Sequence, residues 1–175
     1  MHRAGATFPI VIDVDNRLGA LYGYRKIPNG ILLDDAQIIR YRKDGGFSVD
    51  RSEDVDAVER LIRGEVAPSG GHLAIPYTLA PAEQEEVETR FRLATALLRQ
   101  GDAMAAVREW RQALHLDPEN LLIRKQIWQV EHPERFQPTI DWAWQRLQLE
   151  RERAAEVAAG ICSPDGCPLP VTRTE

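Results

Sequence analysis

Phe8-Pro9-Ile10-Val11-Ile12-Asp13-Val14, followed by Leu21-Tyr22-Gly23-Tyr24, Ile27-Pro28-Asn29-Gly30 and Ile31-Leu32-Leu33-Asp34, is the stretch from which the fold class is read. Its first seven residues are almost continuously apolar and rich in β-branched side chains. Such a run predicts a strand buried on both faces of an α/β sheet, with Pro9 tolerated at its start. Asp15 or Asn16 is placed to cap a short helix over residues 17–22, and Gly23 to end it. Ile27-Pro28-Asn29-Gly30 reads as a turn, and residues 31–33 as a second buried strand.

Outward from that stretch, Asp34-Asp35-Ala36 makes a tight connection to residues 37–42, whose alternation predicts a half-exposed hairpin partner. After Gly45-Gly46, Ser52 is a suitable N-cap for a helix with Val55, Val58, Leu61 and Ile62 on one face and Gly64 as its stop. The predicted order over residues 1–65 is β-α-β-β-α, with a right-handed crossover between the first two strands. Pro68-Ser69-Gly70-Gly71, Pro76 and Pro81 mark a linker over residues 66–82.

Residues 83–160 are predicted to be helical. Val87, Phe91, Ala94, Leu97 and Leu98 share one helical period, and Ala106, Val107, Trp110, Ala113 and Leu114 another, with Gly101-Asp102 between them and Asp117-Pro118 at the end. A third helix spans 121–131, and a fourth begins at Thr139 and closes at Gly160. Trp142 and Trp144, two positions apart, cannot both face inward. Glu150-Arg151-Glu152-Arg153 reads as a solvated face. Residues 161–175 read as a flexible tail containing Cys162, Cys167 and several prolines.

The chain has 175 residues, 43% of them hydrophobic and 28% charged, with a net charge of −5. That balance lacks the basic footprint of a nucleic-acid binder. No apolar run reaches the roughly 18 residues that read as a membrane span, and no secretory signal opens the chain, so a cytoplasmic location is expected. Two cysteines and four scattered histidines supply neither a structural-zinc set nor a disulfide scaffold, and no metal or cofactor is expected.

Leu21-Tyr22-Gly23-Tyr24, Ile27-Pro28 and Ile31-Leu32-Leu33-Asp34, in that order, resemble the second half of a thioredoxin-fold domain of the redoxin, thiol–disulfide oxidoreductase type. The resemblance implies that Pro28 is the cis-proline of that fold, and that Ile27 and Pro28 contact substrate. Asn29 departs from the commoner Thr or Ser after the proline, and Ala36-Gln37 from the usual hairpin glycine. The resemblance also implies a Cys-x-x-Cys at a helix N-terminus upstream, where the thiol pKa is lowered. No cysteine precedes Cys162. The segment carrying the nucleophile, which also supplies the central strand, is therefore expected to belong to a longer protein, and no catalytic residue is assigned here. The strand edges left unpaired make homodimerisation or strand exchange an option.

Residues 87–120 resemble a single tetratricopeptide repeat, through Ala94, Gly101, Asp102, Ala106, Trp110, Ala113, Leu114, Asp117, Pro118 and Asn120. The small residues imply closely approaching antiparallel helices, with the last two helices as a non-repeat cap. Cys162-Ser-Pro-Asp-Gly-Cys167 has two readings, incidental tail cysteines or a reversible redox pair. The resemblances imply thiol–disulfide exchange or peroxide reduction for the full-length family, without catalysis by this chain alone. The alternative is a non-enzymatic adaptor whose helical half binds a protein partner. The partner is accordingly a protein or a protein disulfide.

Overall fold

The computed structural model describes Pro9, residues 11–14, 16–65 and 79–162. Its elements are α1 (Arg17–Tyr22), β1 (Gly30–Leu33), β2 (Ile39–Lys43), α2 (Ser52–Ile62), α3 (Pro81–Arg99), α4 (Ala103–Leu116), α5 (Leu121–Glu131), a 3₁₀ turn at Pro133–Arg135 and α6 (Trp142–Ala158). The described residues form a mostly helical α+β structure with one two-stranded antiparallel sheet. Residues 66–78 of the expected linker and all of the expected tail beyond Cys162 lie outside the described residues.

The expected first strand is not observed. Among the described residues of 8–14 none is in a strand, and Val11, Ile12 and Val14 are 81%, 63% and 55% exposed. β-propensity expresses how well a side chain suits a paired, half-buried surface. Here the backbone bonds are local instead, from Val14 N to Ile12 O at 3.0 Å and from Asn16 N to Asp13 O at 3.3 Å. The parallel crossover expected from an α/β reading is correspondingly absent from the described residues. Asp13 does what Asp15 or Asn16 was expected to do. Its carboxylate accepts from the amides of Arg17 (2.7 Å), Leu18 (2.8 Å) and Gly19 (3.2 Å), whereas Asn16 makes no side-chain cap bond. Gly23 ends α1 at φ 63°, with Gly23 N bonded to Ala20 O and Tyr24 N to Gly19 O, the paired bonds of a Schellman stop.

β1 and β2 pair Gly30 with Lys43, Ile31 with Arg42, Leu32 with Tyr41 and Leu33 with Ile39. Asp34 makes the connection. Its Oδ1 accepts from the amides of Ala36 (3.0 Å) and Ile38 (2.9 Å), and its Oδ2 from Arg40 Nε (2.7 Å). Gln37 takes φ 63° in the same turn. Ser52 is the first residue of α2 and does not cap it by its side chain. The N-terminal turn is held through Asp54, 2% exposed, which accepts from Ser48 N at 3.0 Å and pairs with Lys43 of β2. The apolar face of α2 is only half covered, and Ile62 is 71% exposed.

α3 and α4 form an antiparallel hairpin whose contact is made by Ala94, Ala106 and Ala113, all fully buried, with Trp110 and Val107 beside them. Small side chains permit this approach, and the surrounding large ones fill the remaining volume. Asp102 Oδ1 accepts from Ala105 N at 2.9 Å, capping α4, and Asn120 Oδ1 accepts from Ile123 N at 3.2 Å, capping α5. α5 adds Ile123 and Ile127 to the core.

The N-cap of α6 is Asp141, bonded to Trp144 N at 2.9 Å, and not Thr139. α6 meets α5 largely through long polar side chains. Arg124, 2% exposed, donates to Pro118 O (2.8 Å), Glu152 Oε2 (2.8 Å) and Glu156 Oε1 (2.6 Å), while Trp128 Nε1 donates to Glu152 Oε1 (2.6 Å). The charge run at 150–153 is therefore only partly a solvated face. Glu152 closes the buried polar network, and Arg153 pairs with Glu119. A carboxylate at this position is indistinguishable by spacing from a solvent-facing one, because its partner lies on another helix. Of the two tryptophans on α6, Trp142 is 62% exposed and Trp144 packs edge-on to Trp128 at 5.8 Å.

Candidate functional site: a cleft between the proline turn and the fifth helix

The turn expected to contact substrate is fastened from both sides. The Ile27–Pro28 peptide is cis, as is Gln137–Pro138. Asn29 Nδ2 donates to Lys26 O (2.6 Å), its Oδ1 accepts from Gly45 N (2.6 Å), and Phe47 N donates to Pro28 O (3.2 Å). Asn29 thus ties the turn to the Gly45-Gly46 loop, which a hydroxyl side chain with only one donor and a shorter reach is less suited to do. Gly45 and Gly46 have φ 78° and 69°, a region that side-chain-bearing residues enter at a cost. Gly30 follows immediately, and the Phe47 ring lies so close that a Cβ there would stand 2.5 Å from it.

On the other side, Arg25 carries the turn onto the helical half. Its Nε donates to Asp117 Oδ1 (2.8 Å) and Oδ2 (3.0 Å), and its carbonyl accepts from Leu122 N (3.1 Å) in the first turn of α5. Asp117 is 2% exposed and also accepts from Asn120 Nδ2 at 2.9 Å. A buried carboxylate so bonded fixes both the end of α4 and the seat of the turn.

This docking leaves a cleft of about 230 Å³. Lys26 and Ile27 line it from the turn, Gly45 and Gly46 from the loop, and Leu121, Leu122 and Lys125 from α5. Ile27 is 56% exposed. Lys125 Nζ stands 5.3 Å from the Trp142 ring centroid, and burial pulls its ammonium below the usual lysine range. Desolvation disfavours the charged form, and the aromatic face offsets only part of that.

Sequence reasoning singled out Ile27 and Pro28, and Ile27 lines this cleft. It missed Lys26, Leu121, Leu122 and Lys125, which carry no motif. The one available signal was Asp117-Pro118-Glu119-Asn120, a polar helix end able to receive another segment. Cys162 is elsewhere. It is disulfide-bonded, 8% exposed and packed in the core with Leu79, Val87 and Ile123, with Sγ 3.8 Å from a Glu156 carboxylate oxygen. Cys167, the other half of the redox pair considered above, lies outside the described residues.

Comparison with protein-family models, with curated proteins and with solved structures found no match. The class defined by the described residues is a mostly helical α+β chain whose hairpin-bearing segment docks on a helical array and leaves an open, partly apolar cleft.

Proposed function

We propose that this chain is a protein-interaction adaptor that holds a segment of its partner in the cleft between the Lys26–Asn29 turn and α5. The observation that carries the reading is the convergence of Ile27, Leu121 and Leu122, from distant parts of the chain, on one open cleft. An apolar side chain entering such a cleft exchanges water-exposed surface for contact at roughly 25 cal/mol per Å². The backbone around it is held by Asn29, Arg25 and Asp117, so little ordering cost falls on the binding step.

The thiol–disulfide exchange implied by the redoxin resemblance is the competing proposal. Cys162 is a poor entry point for it, since its disulfide sulfur is buried beside a carboxylate, where an incoming thiolate has little access and meets a like charge. Reduction of insulin disulfides that is lost on Cys162→Ser would favour the redox reading.

The adaptor reading is tested by selecting binders from a displayed random-peptide library against the full chain. The selected peptides are expected to lose binding to Ile27→Asp and Leu121→Asp, and to keep it with Met104→Asp, a substitution at an exposed residue of α4. Peptides equally tight to all three variants would place binding outside the cleft and remove the proposal.

A further inference from the structure

We infer that the cleft takes an acidic segment, in which carboxylate side chains stand next to apolar ones. This rests on the adaptor reading above and specifies its ligand. Lys26 and Lys125 both line the cleft, and no carboxylate does. Neither lysine is within ion-pair distance of a carboxylate among the described residues. A third cation stands close by, with Arg51 Nη1 3.6 Å from the position a Cβ on Gly46 would take. The acidic and basic neighbours along the chain are already committed. Asp44 binds Arg42 at 2.8 Å, and Arg124 is enclosed by Glu152 and Glu156.

The contrast with the rest of the molecule is informative. The chain as a whole carries a net charge of −5, and most of its described arginines are paired with a carboxylate on the same or a neighbouring element. A cationic, carboxylate-free cleft repels basic segments and selects a complementary anionic one. Lys125 strengthens the case geometrically. It lies between the apolar first turn of α5 and the Trp142 face, so an incoming carboxylate would meet a cation whose stem is already packed. Leu121, Leu122 and Ile27 supply the apolar half of the recognition.

The test uses the full chain and three labelled dodecapeptides, alternating leucine with glutamate, glutamine or lysine, read by fluorescence anisotropy. The Leu/Glu peptide is expected to bind most tightly. Its affinity should fall by roughly fivefold with Lys26→Met and with Lys125→Met, each replacement keeping the apolar stem. It should fall further as salt rises from 50 to 500 mM. Circular dichroism of each variant separates this loss from misfolding, and Arg108→Met on α4 serves as a charge-removal control expected to leave binding unchanged. If the Leu/Gln peptide binds as tightly as Leu/Glu, and both are lost with Ile27→Asp, the adaptor cleft stands and the acidic ligand is wrong. Preference for the Leu/Lys peptide overturns the inference outright. So does Lys26- and Lys125-dependent binding of a twelve-nucleotide single-stranded RNA in preference to the Leu/Glu peptide, which would make the cleft a phosphate site.

Discussion

Removing the Arg124 guanidinium should loosen α6 before the rest of the chain. Arg124 is 2% exposed, and its partners Glu152 and Glu156 retain 28% and 18% side-chain exposure. Arg124→Met keeps most of the buried stem volume and deletes the donors to Glu152, Glu156 and Pro118 O. Breaking a buried pair by deleting one member costs about 3–5 kcal/mol. Because both carboxylates keep some water, we place the loss near the bottom of that range, at about 3 kcal/mol. With a urea m value of about 1.5–2 kcal/mol/M, the unfolding midpoint should fall by about 1.5–2 M. Circular dichroism at 222 nm gives the midpoint, and hydrogen exchange locates the change, with amides of residues 142–158 expected to lose protection first. Arg124→Met combined with Glu152→Gln and Glu156→Gln should recover part of the loss, since no unpaired charge remains. A midpoint shift below about 0.3 M, or uniform loss of protection across α3–α6, would refute the view that this network is what attaches α6.

Gln37 takes φ 63° in the hairpin turn, so Gln37→Gly should stabilise the hairpin by about 0.5 kcal/mol, the relief of the left-handed backbone being partly offset by the added freedom of the unfolded chain; chemical denaturation of the two variants decides it. Gly30→Ala should destabilise by about 1–3 kcal/mol, because its Cβ would stand 2.5 Å from the Phe47 ring, and an unchanged midpoint would show that Phe47 moves aside freely. The bond from Lys43 has the largest effect on the Asp54 carboxyl and lowers it; desolvation opposes this, and the Ser48 amide lowers it further, leaving it below the usual carboxylate range. A carboxyl depressed on folding contributes stability that is complete above its unfolded pKa, near 3.8, and is lost as pH falls through the folded value. Stability between pH 5 and 2 should therefore decline less steeply in Asp54→Asn than in the parent, as followed by thermal melts across that range.

The helical half was legible because its signals are local. The apolar period over residues 87–98 and 106–114, the Gly101-Asp102 break and the Asp117-Pro118 stop all act within one or two turns of chain. Ala94, Ala106 and Ala113, singled out by helical spacing and by the tetratricopeptide resemblance, are fully buried. The strand expected at residues 8–14 failed for the converse reason. Val11, Ile12 and Val14 have the side chains of a strand, but a strand requires a partner edge, and the described chain brings none to them. Caps were read to within a few residues only. Asp13 in place of Asn16, and Asp141 in place of Thr139, show that a carboxylate slightly farther out can reach the same free amides. The cleft was half legible. Ile27 and Pro28 stood out by resemblance, and of the two Ile27 lines the cleft, whereas Lys125 is an ordinary lysine on an amphipathic helix until the fold sets it across from Ile27.

By itself, then, the sequence determined the helices, the hairpin and the turn around Pro28, because propensity, periodicity and capping chemistry operate over a few residues. Only the tertiary structure decided that Arg25 reaches Asp117, that Glu152 and Glu156 enclose Arg124, and that Lys26 and Lys125 face one cleft. Charges separated by 28 to 92 positions have no periodicity to announce them, and whether each ends in water or against a partner is settled by packing alone.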